Sequence, residues 1–432
     1  MTDLSKPSAS GQPAIRDIVA ARLKSRHAEE ARFRFYGILA VSIAILFLVI
    51  LLGRIGTQGV SAFWTHSITA QVYLDPQRID RHDILGSNYD MMIADQLMAK
   101  MGVADDEFGT TSGRFKRLLS SDMGFLVLDQ VRKDPSLIGK TLTIEAPVSA
   151  NADLYFKGEI KRSEDEAYRT FSNQQMDWLD ALKAKGIIRG HFNTGLLTNS
   201  DSTHPEQAGL LGAIVGSALM LIVTALIAVP VGVSAAVYLE EFAPKNKLTD
   251  LIEVNINNLA AVPSIVYGLL GLAVFINWLG LPRSSPLVGG LVLALMALPT
   301  IIIATRSSLK AVPPSIREAA LGVGASKTQA VFQHVLPLAM PGVMTGTIIS
   351  LAHAIGETAP LLMIGMVSFV PGVAEGFSAA STVLPVQIFI WENASERAFH
   401  ERTAAAIIVL LVFMILMNAA AIVLRRRFER RW

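Results

Sequence analysis

Six long apolar stretches constrain the fold of this chain more than any other feature of its sequence. Each is close to the 20 residues that a helix needs to cross the hydrocarbon core of a bilayer. They run Tyr36–Gly53, Leu210–Leu239, Leu259–Leu281, Leu287–Thr305, Leu338–Phe369 and Thr403–Leu424. Of the 432 residues, 51% are hydrophobic and 17% charged, whereas about a quarter of the residues in a soluble protein are charged. The pattern predicts an all-α polytopic membrane protein with six transmembrane helices.

Charge and cysteine content exclude other classes. The formal net charge of +2 is too small to indicate a nucleic-acid partner, and the chain has no cysteine for disulfides or thiolate ligands. A secretion signal has a short basic lead and a small-residue cleavage site. Here 35 residues precede the first apolar stretch, and no A-x-A pattern follows it. The stretch 36–53 is therefore predicted to be an uncleaved transmembrane anchor.

Lysine and arginine counts predict the orientation, because short cytoplasmic loops are enriched in both. With the N-terminus inside, segments 1–35, 240–253, 305–337 and 425–432 hold seven, two, four and five basic residues, 18 together. The short outer loops hold three, namely Arg283, Arg397 and Arg402. Both termini are thus predicted to be cytoplasmic. The basic tail 425–432 is interpreted as an anchor for membrane lipid, with a nucleic-acid patch as the weaker alternative.

Residues 54–207 contain no span and are predicted to form an inserted mixed α/β domain on the outer, periplasmic side. Hydrophobic periodicity predicts helices at Tyr89–Met101, Phe115–Lys133 and Glu164–Lys185, and a strand at Thr141–Glu145. The histidines are scattered without the spacing of metal ligands. Asp201 and His204 are expected to be solvated loop residues. The role of this domain does not follow from the sequence.

The loop 305–337 contains Arg317-Glu318-Ala319-Ala320-Leu321-Gly322-Val323-Gly324 and ends in Leu336-Pro337. It resembles the EAA loop of permeases of binding-protein-dependent importers, with nine residues between Gly324 and His334, where the family has isoleucine. We call it the EAA-like loop. The resemblance implies that a short helix, Ser315–Leu321, docks on a separate ATPase through Ala319 and Ala320 in a helix-in-groove contact. The residues assigned to ATPase coupling are Arg317, Glu318, Ala319, Ala320, Gly324, Leu336 and Pro337.

Backbone geometry gives the same loop a physical interpretation. Gly324 is expected to let the chain turn with positive φ, and Pro337 to restart a span. An ordinary amphipathic loop helix is the alternative interpretation. The segment 322–328 also looks like a phosphate-binding loop, but Leu321 and Ser326 stand where that motif requires glycines. The chain is therefore not expected to bind ATP or any other cofactor, so ATP and Mg²⁺ belong to the partner ATPase.

The fifth apolar stretch contains ionisable residues that are costly inside a bilayer and normally face a cavity or a partner. His353 and Glu357 are four residues apart and are expected to share a helix face. Together with Thr358 they are candidates for a translocation pathway, and an interhelical hydrogen bond without a transport role is the alternative. Small residues also recur every fourth position, which predicts close helix contacts. They are Gly212 and Gly216 in the second stretch, and Gly342, Gly346 and Ser350 in the fifth.

Two further segments resemble one family, the phosphate-import permeases of PstA type. They are Gly356–Leu362, which reads GETAPLL, and Ala261–Leu272, which reads AVPSIVYGLLGL. The resemblance covers about Gly209–Leu424. Members usually carry an arginine in the anion path four residues before the glutamate, where this chain has His353, which supplies positive charge only when protonated. The long inserted domain is a second departure from the family.

The resemblance implies the bundle of an ABC importer permease in a bacterial inner membrane. Its segments are a cytoplasmic segment 1–35, an anchor 36–53, a periplasmic domain 54–207, a transmembrane domain 208–424 and a cytoplasmic tail 425–432. The implied partners are a second permease (PstC type), a dimer of ATP-binding subunits (PstB type) and a periplasmic phosphate-binding protein. The implied function is ATP-driven import of inorganic phosphate, without hydrolytic chemistry in this chain. Alternatives are a permease for molybdate or sulfate, a membrane sensor, and an intramembrane enzyme.

Overall fold

The computed structural model describes residues 15–80, 83–104, 110–163, 165–166 and 169–428. The chain divides into two units between Thr57 and Gln58. Most of the first unit is helix α1, Ile15–Ser61, which contains the first predicted span. The predicted N-terminal segment is therefore helical from Ile15 onward, whereas residues 1–14 and 429–432 of the predicted terminal segments lie outside the described residues.

Residues 62–207, here called the inserted domain, combine strands and helices. A three-stranded antiparallel sheet has the order β2-β1-β3, with β1 at Trp64–Tyr73, β2 at Thr141–Pro147 and β3 at Ile188–Phe192. Its helices are α2 (Tyr89–Met101), α3 (Thr110–Lys116), α4 (Asp122–Lys133), α5 (Ala150–Phe156), α6 (Asn173–Ala184) and α7 (Gly195–Thr198). Alternate residues of β1, Ile68, Ala70 and Val72, are almost completely buried. The sheet thus packs one face against the helices, as its two-residue period requires.

The predicted helix Tyr89–Met101 is confirmed with the same bounds, and the predicted strand lies within β2. The prediction of one helix over Phe115–Lys133 is wrong, because α3 ends at Lys116 and α4 starts at Asp122. The Ser120 hydroxyl accepts a hydrogen bond from the Asp122 backbone N–H, and such local bonds compete with a continuous helix.

The third predicted helix is shorter than expected. It begins at Asn173 rather than at Glu164, which itself lies outside the described residues. A capping box sets this start: the Ser172 side chain accepts from the Gln175 backbone, and the Gln175 side chain accepts from the Ser172 backbone. This arrangement satisfies backbone donors of the first turn and favours helix initiation there.

Residues 208–428 are mostly helical, with a long non-helical connection between Met363 and Leu384. The helices are α8 (Leu211–Val237), α9 (Lys247–Ala260), α10 (Ser264–Gly271), α11 (Pro286–Lys310), α12 (Pro314–Gly322), α13 (Lys327–Ala330), α14 (Leu336–Gly356), α15 (Ala359–Met363), α16 (Leu384–Glu392) and α17 (Arg397–Phe428). Turns of π-helix extend three of them, at Tyr238–Phe242 after α8, Leu272–Trp278 after α10 and Val331–Val335 between α13 and α14.

Within the described residues, five helical stretches are long and apolar enough to cross a membrane. They are His27–Ser61, Leu211–Phe242, Pro286–Lys310, Lys327–Gly356 and Arg397–Arg427. The third predicted span is not one straight helix: α9 and the helix Ser264–Trp278 meet at 101°. Pro263 lies at this bend and lacks the N–H that a continuous helix needs. Six spans result only if this bent pair crosses as one, so the count of six stays a prediction.

The prediction of a fifth span over Leu338–Phe369 is wrong at both ends. Helix begins at Lys327, after a capping box of Ser326 and Gln329, and runs without interruption past Pro337 to Gly356. Pro337 therefore does not restart a span; it lies in a helix whose first turn is ten residues earlier. Glu357 is extended, with φ −77° and ψ 128°. Pro360 disfavours a continuous helix here because it has no N–H for the carbonyl of Gly356, four residues earlier, and its ring clashes with that carbonyl.

Helix α16 is absent from the predictions because its nine residues are too few for a span. Its Trp391 is buried and donates from Nε1 to a carboxylate oxygen of Asp201 at 3.0 Å. The prediction that Asp201 is solvated is therefore wrong, whereas His204 is exposed as expected. Burial raises the pKa of Asp201, although the Trp391 hydrogen bond opposes this shift.

The predicted close contacts of small residues are confirmed where α14 crosses α11. A Cβ added to Gly346 would lie 2.2 Å from the Cβ of Ala304, and one added to Gly342 would lie 2.3 Å from the Oγ of Ser308. The Ser350 hydroxyl donates to the Ala297 carbonyl at 3.2 Å. The absence of side chains thus lets the two helices approach closely, as in other membrane bundles.

Replacing Gly346 by leucine is expected to destabilise the bundle by about 1–3 kcal/mol, the usual cost of overpacking. The thermal midpoint of the purified chain in detergent measures this effect. Gly113→Leu is the matched control, because a Cβ there meets no atom within 4 Å. Equal midpoints for the two variants would show that α11 and α14 are not in tight contact.

Candidate functional site

The EAA-like loop contains the predicted short helix. Helix α12 spans Pro314–Gly322, one residue longer at each end than expected. Pro314 occupies the first turn, where its missing N–H costs nothing. Gly324 has φ +88°, as predicted, and allows the reversal between α12 and α13. The local signals of the sequence therefore suffice to define this helix and the turn that follows it.

An apolar cluster joins the EAA-like loop to three long helices. Ile316 of α12 packs into a group of buried side chains contributed by α8, by α11 and its end, and by the start of α14 with the π-helical turn before it. The buried members are Val237, Leu309, Val312, Val331, Val335, Ala339 and Val343. Leu336 is half-buried against the same cluster, and the neighbouring Pro337 is also half-buried. Helix α12 is thus in direct packing contact with α8, α11 and α14.

Arg317 holds α12 against the chain rather than pointing away from it. Its Nη2 lies 2.5 Å from Oε1 of Glu241, whose side chain is 7% exposed. The guanidinium also donates to the carbonyls of Val312 at 2.8 Å and Leu309 at 2.9 Å. Leu309 lies in the last turn of α11 and Val312 just after it, and the Leu309 carbonyl also accepts from the Val312 backbone N–H at 3.2 Å. Arg317 therefore connects α12, the end of α11 and the π-helical turn after α8.

The sequence predicted that α12 docks through both Ala319 and Ala320, but only one of these two residues is exposed. Glu318 and Ala319 are exposed, whereas Ala320 is buried, with 7% of its surface accessible. Ala320 follows Ile316 by four residues and so lies on the same inward face of α12. Leu321 (50%), Val323 (85%) and Phe332 (53%) are large apolar side chains of the loop that are exposed. On α12 and the residue after it, the exposed surface includes Glu318, Ala319, Leu321 and Val323.

The structure brings His353 and Glu357 together, although they do not share a continuous helix. His353 Nε2 lies 3.2 Å from Glu357 Oε1, and the side chains are 72% and 20% exposed. Glu357 caps the C-terminus of α14, and Thr358 caps the N-terminus of α15, where its carbonyl accepts from the backbone of Leu361 and Leu362. The three candidate pathway residues thus occupy the break between α14 and α15.

Helix α10 lies directly against the segment that follows this break. A Cβ added to Gly268 would lie 2.7 Å from the Cα of Pro360, so glycine is needed for the contact. The neighbouring Tyr267 donates from its hydroxyl to the carbonyl of Leu259 across the bend between α9 and α10, at 2.8 Å. The bent pair and the His353–Glu357 segment are therefore mechanically connected.

Sequence reasoning missed a group of ionic residues beside the EAA-like loop. Glu240 and Glu241 occupy the π-helical turn after α8, Glu253 lies in α9 and Arg306 in α11. The available signal was a pair of acidic residues at the end of one apolar stretch and a basic residue at the end of another. Glu240 pairs with Arg306, 66 residues away in sequence, and Glu241 pairs with Arg317, 76 residues away.

In the described part of the chain, no group of three or more His, Cys, Asp or Glu side chains is arranged to hold a metal ion.

Comparison with protein families matches two parts of the chain. Residues 228–432 match the profile described as binding-protein-dependent transport system inner membrane component. Residues 20–166, which include most of α1 and part of the inserted domain, match a domain of unknown function. The two matches do not overlap, so the inserted domain stands outside the region that resembles transport proteins.

Curated relatives match about two fifths of the chain. A probable ABC transporter permease protein, YqgI of Bacillus subtilis, is 34% identical over 179 residues, 41% of this chain and 60% of the relative. Phosphate transport system permease protein PstA 1 of Mycobacterium tuberculosis is 36% identical over 184 residues, 41% of this chain and 60% of the relative. The matches thus span about 60% of the length of these relatives. A solved MetNI methionine ABC transporter chain is 18% identical with a TM-score of 0.43, covering 51% of this chain and 96% of that one.

Proposed function

We propose that the chain is the permease subunit of an ATP-driven phosphate importer, from the premise that residues 228–432 match the profile of the binding-protein-dependent transport system inner membrane component. The observation that carries this proposal is the EAA-like loop. Its helix α12 packs on three long helices through Ile316 and presents Glu318, Leu321 and Val323 outward. An exposed surface on a helix that is rigidly connected to spans is what a transporter needs to receive motion from a separate ATPase.

Similarity to named relatives supports the proposed substrate and partners. Relatives 36–42% identical to this chain are named phosphate transport system permeases. We assign to the complex a second permease, two ATP-binding subunits on the inner side and a phosphate-binding protein on the outer side. Excess lysine and arginine in the loops predicted to be inner supports cytoplasmic termini and an inserted domain on the periplasmic side. ATP is hydrolysed by the partner subunits, and this chain contributes no hydrolytic chemistry.

The coupling mechanism uses contacts that lie within the chain. Closure of the ATP-binding subunits displaces α12, and the apolar cluster around Val312 and Val335 moves α8, α11 and α14 with it. The break after α14 carries His353, Glu357 and Thr358, which we assign to the translocation path. A protonated His353 supplies a positive charge for an anion there, and an arginine of the second permease is a further source.

Replacing Glu318 by arginine is expected to reduce phosphate uptake about tenfold, while the complex still assembles and hydrolyses ATP. The reason is that Glu318 is exposed on α12 and makes no contact that the bundle needs. Uptake of labelled phosphate into proteoliposomes and ATP hydrolysis are measured in parallel. Glu396→Arg, in the exposed turn before α17, is the matched control and is expected to keep normal uptake.

The same assay separates the alternative functions. Excess sulfate or molybdate that abolishes phosphate uptake would indicate another oxyanion as the substrate. A purified complex that contains no ATP-binding subunit would instead favour a membrane sensor. Normal uptake by the Glu318→Arg variant would contradict the role assigned to α12.

A further inference from the structure

Arg306 joins three helices near the end of α11. Its Nε lies 3.2 Å from Oε2 of Glu240, and its Nη2 lies 2.9 Å from Oε2 of Glu253. The Arg306 side chain is 13% exposed, that of Glu240 18% and that of Glu253 38%. Lys310 approaches the same oxygen of Glu240 at 3.7 Å. One guanidinium thus binds carboxylates of two different elements, which suits its planar array of donors.

The position of Glu240 relates this contact to the EAA-like loop. Glu240 and Glu241 are consecutive residues of the π-helical turn Tyr238–Phe242. Glu240 binds Arg306, while Glu241 binds Arg317 of α12. A movement of α12 that displaces this turn therefore reaches Arg306 through a single residue. Turns of π-helix are frequent at functional sites.

Helix α9 has little apolar packing to hold it in place. None of its residues is buried in this chain, and several large apolar side chains on it are exposed, among them Leu248, Leu251 and Val254. The ion pair between Glu253 and Arg306 is therefore a main attachment of α9 to α11. A helix held by a polar contact rather than by a packed core is free to shift when that contact shifts.

The far end of α9 leads to the proposed translocation path. After the 101° bend, α10 packs through Gly268 on Pro360, three residues after Glu357. The contacts thus form a continuous series: α12, Glu241, Glu240, Arg306, Glu253, α9, α10 and the segment after Glu357. The apolar cluster below α12 does not include α9 or α10. Helix α10 packs on α11 directly, since a Cβ added to Gly271 would lie 2.3 Å from Cγ2 of Val292, so the ionic contacts matter most for α9, the other arm of the bent pair.

We propose that Arg306 is a positioning residue that makes the bent pair α9–α10 follow the EAA-like loop. This inference rests on the proposed function, because it assumes that a partner moves α12. Arg306 itself does not touch the substrate; it acts through Glu253. Loss of either residue leaves the loop attached to α8, α11 and α14 but releases α9 from that movement.

A double-mutant cycle of Arg306→Met and Glu253→Gln tests the inference in the assembled complex. Each single variant is expected to lower the number of phosphate ions transported per ATP hydrolysed about tenfold. The double variant is also expected to be lowered about tenfold, because the two residues act as a unit. Arg306→Lys is expected to restore part of the ratio. A hundredfold loss in the double variant, or an unchanged ratio in the singles, would overturn the proposal.

A second readout follows α9 and does not require transport. The chain contains no cysteine, so Asn257→Cys places one thiol at an exposed position of α9. Its rate of reaction with a charged maleimide is expected to change at least threefold when ATP and Mg²⁺ are added to the complex, and Arg306→Met is expected to abolish the change. A rate that ATP leaves unaltered, or that responds equally in the Arg306 variant, would overturn the inference.

The two readouts separate this inference from the proposed function. A complex that does not transport phosphate but shows the Arg306-dependent change at position 257 contradicts phosphate import only. A complex that transports phosphate but shows no such change contradicts the role of Arg306 only. The thermal midpoint of each variant is recorded as well, because a loss of coupling without a lower midpoint is not explained by misfolding.

Discussion

Replacing Lys157 by methionine is expected to destabilise the protein by about 3–5 kcal/mol, the usual cost of removing one partner from a buried ion pair. Lys157 follows α5 in the inserted domain. Its Nζ lies 2.7 Å from Oδ2 of Asp153 and 2.8 Å from Oε1 of Glu401 in α17. All three side chains are only 11–12% exposed. Without Lys157, two carboxylates remain close together in a largely dry environment.

The neighbours of Asp153 stabilise its ionised form. Burial by itself raises the pKa of Asp153, but hydrogen bonds from His66 and the positive charge of Lys157 outweigh it, so that the pKa lies below its usual value. The His66 backbone N–H donates to Asp153 Oδ1 at 3.0 Å, and its ring Nδ1 lies 2.9 Å from the same oxygen. Because Lys157 contributes to this lowering, its removal is expected to raise the pKa of Asp153 and to leave the burial of that carboxylate uncompensated.

The thermal midpoint in detergent, followed by the fluorescence of the five tryptophans, is expected to fall by about 5–10 °C. Lys133→Met is the matched control, since Lys133 pairs with Asp129 but is 74% exposed. An exposed pair of this kind contributes less than about 0.5 kcal/mol. Adding Glu401→Gln to the Lys157 variant is expected to recover part of the midpoint. Equal midpoints for the Lys157 and Lys133 variants would contradict a buried network at this junction.

This network also defines how the inserted domain is attached to the last span. Ala398, in the first turn of α17, belongs to the apolar core of the domain. Arg402, one turn further on, is buried and donates to the carbonyl of Ala208 just before α8. The domain is thus joined to α17 by apolar, ionic and hydrogen-bonded contacts, and is not connected through its flanking segments alone.

Local signals predicted those parts of the fold that depend on neighbouring residues. The bounds of α2 follow from hydrophobic periodicity, and Asn88 caps its first turn through a side-chain bond to Met91. The helix α12 and the turn at Gly324 follow from proline and glycine, which act on their own backbone. The contact of α14 with α11 follows from small residues at every fourth position. None of these features requires knowledge of a distant partner.

The parts that were missed depend on contacts between distant residues or on breaks inside apolar stretches. Strand β1 buries Thr65 and Ser67 as well as apolar residues, so its polarity does not alternate clearly. The bend between α9 and α10 and the end of α14 lie within stretches whose average hydropathy is high, and an average over 20 residues does not detect a local break. The burial of Asp201 depends on Trp391, which is 190 residues away.

Among the candidate coupling residues, too, the sequence predicted what depends on neighbouring residues and missed what depends on distant contacts. Sequence spacing identified Arg317 as a member of the EAA-like loop, but it did not indicate that Arg317 faces inward. That orientation follows from Glu241, which lies 76 residues earlier at the end of another helix. We therefore expect the effect of replacing Arg317 on transport to differ in origin from that of replacing the exposed Glu318.

Replacing Arg317 by methionine is expected to lower phosphate uptake by about 100-fold. The variant leaves Glu241 without its ion-pair partner at 7% exposure and removes donors from the carbonyls of Leu309 and Val312. The expected cost of about 3–5 kcal/mol acts on the position of α12, and each 1.4 kcal/mol changes the population of the docked position tenfold. Uptake is measured in proteoliposomes beside the ATPase activity of the same preparation.

Two matched variants identify the cause of the expected loss. Lys327→Met removes an exposed basic residue of the same loop, whose Nζ lies 5.4 Å from the centre of the Phe242 ring, and it is expected to lower uptake less than threefold. Arg317→Lys keeps the charge but loses the planar guanidinium, whose Nε and Nη2 both donate to the carboxylate of Glu241. An intermediate loss is therefore expected. If Arg317→Met and Lys327→Met reduce uptake equally, net charge of the loop rather than the anchoring of α12 determines coupling.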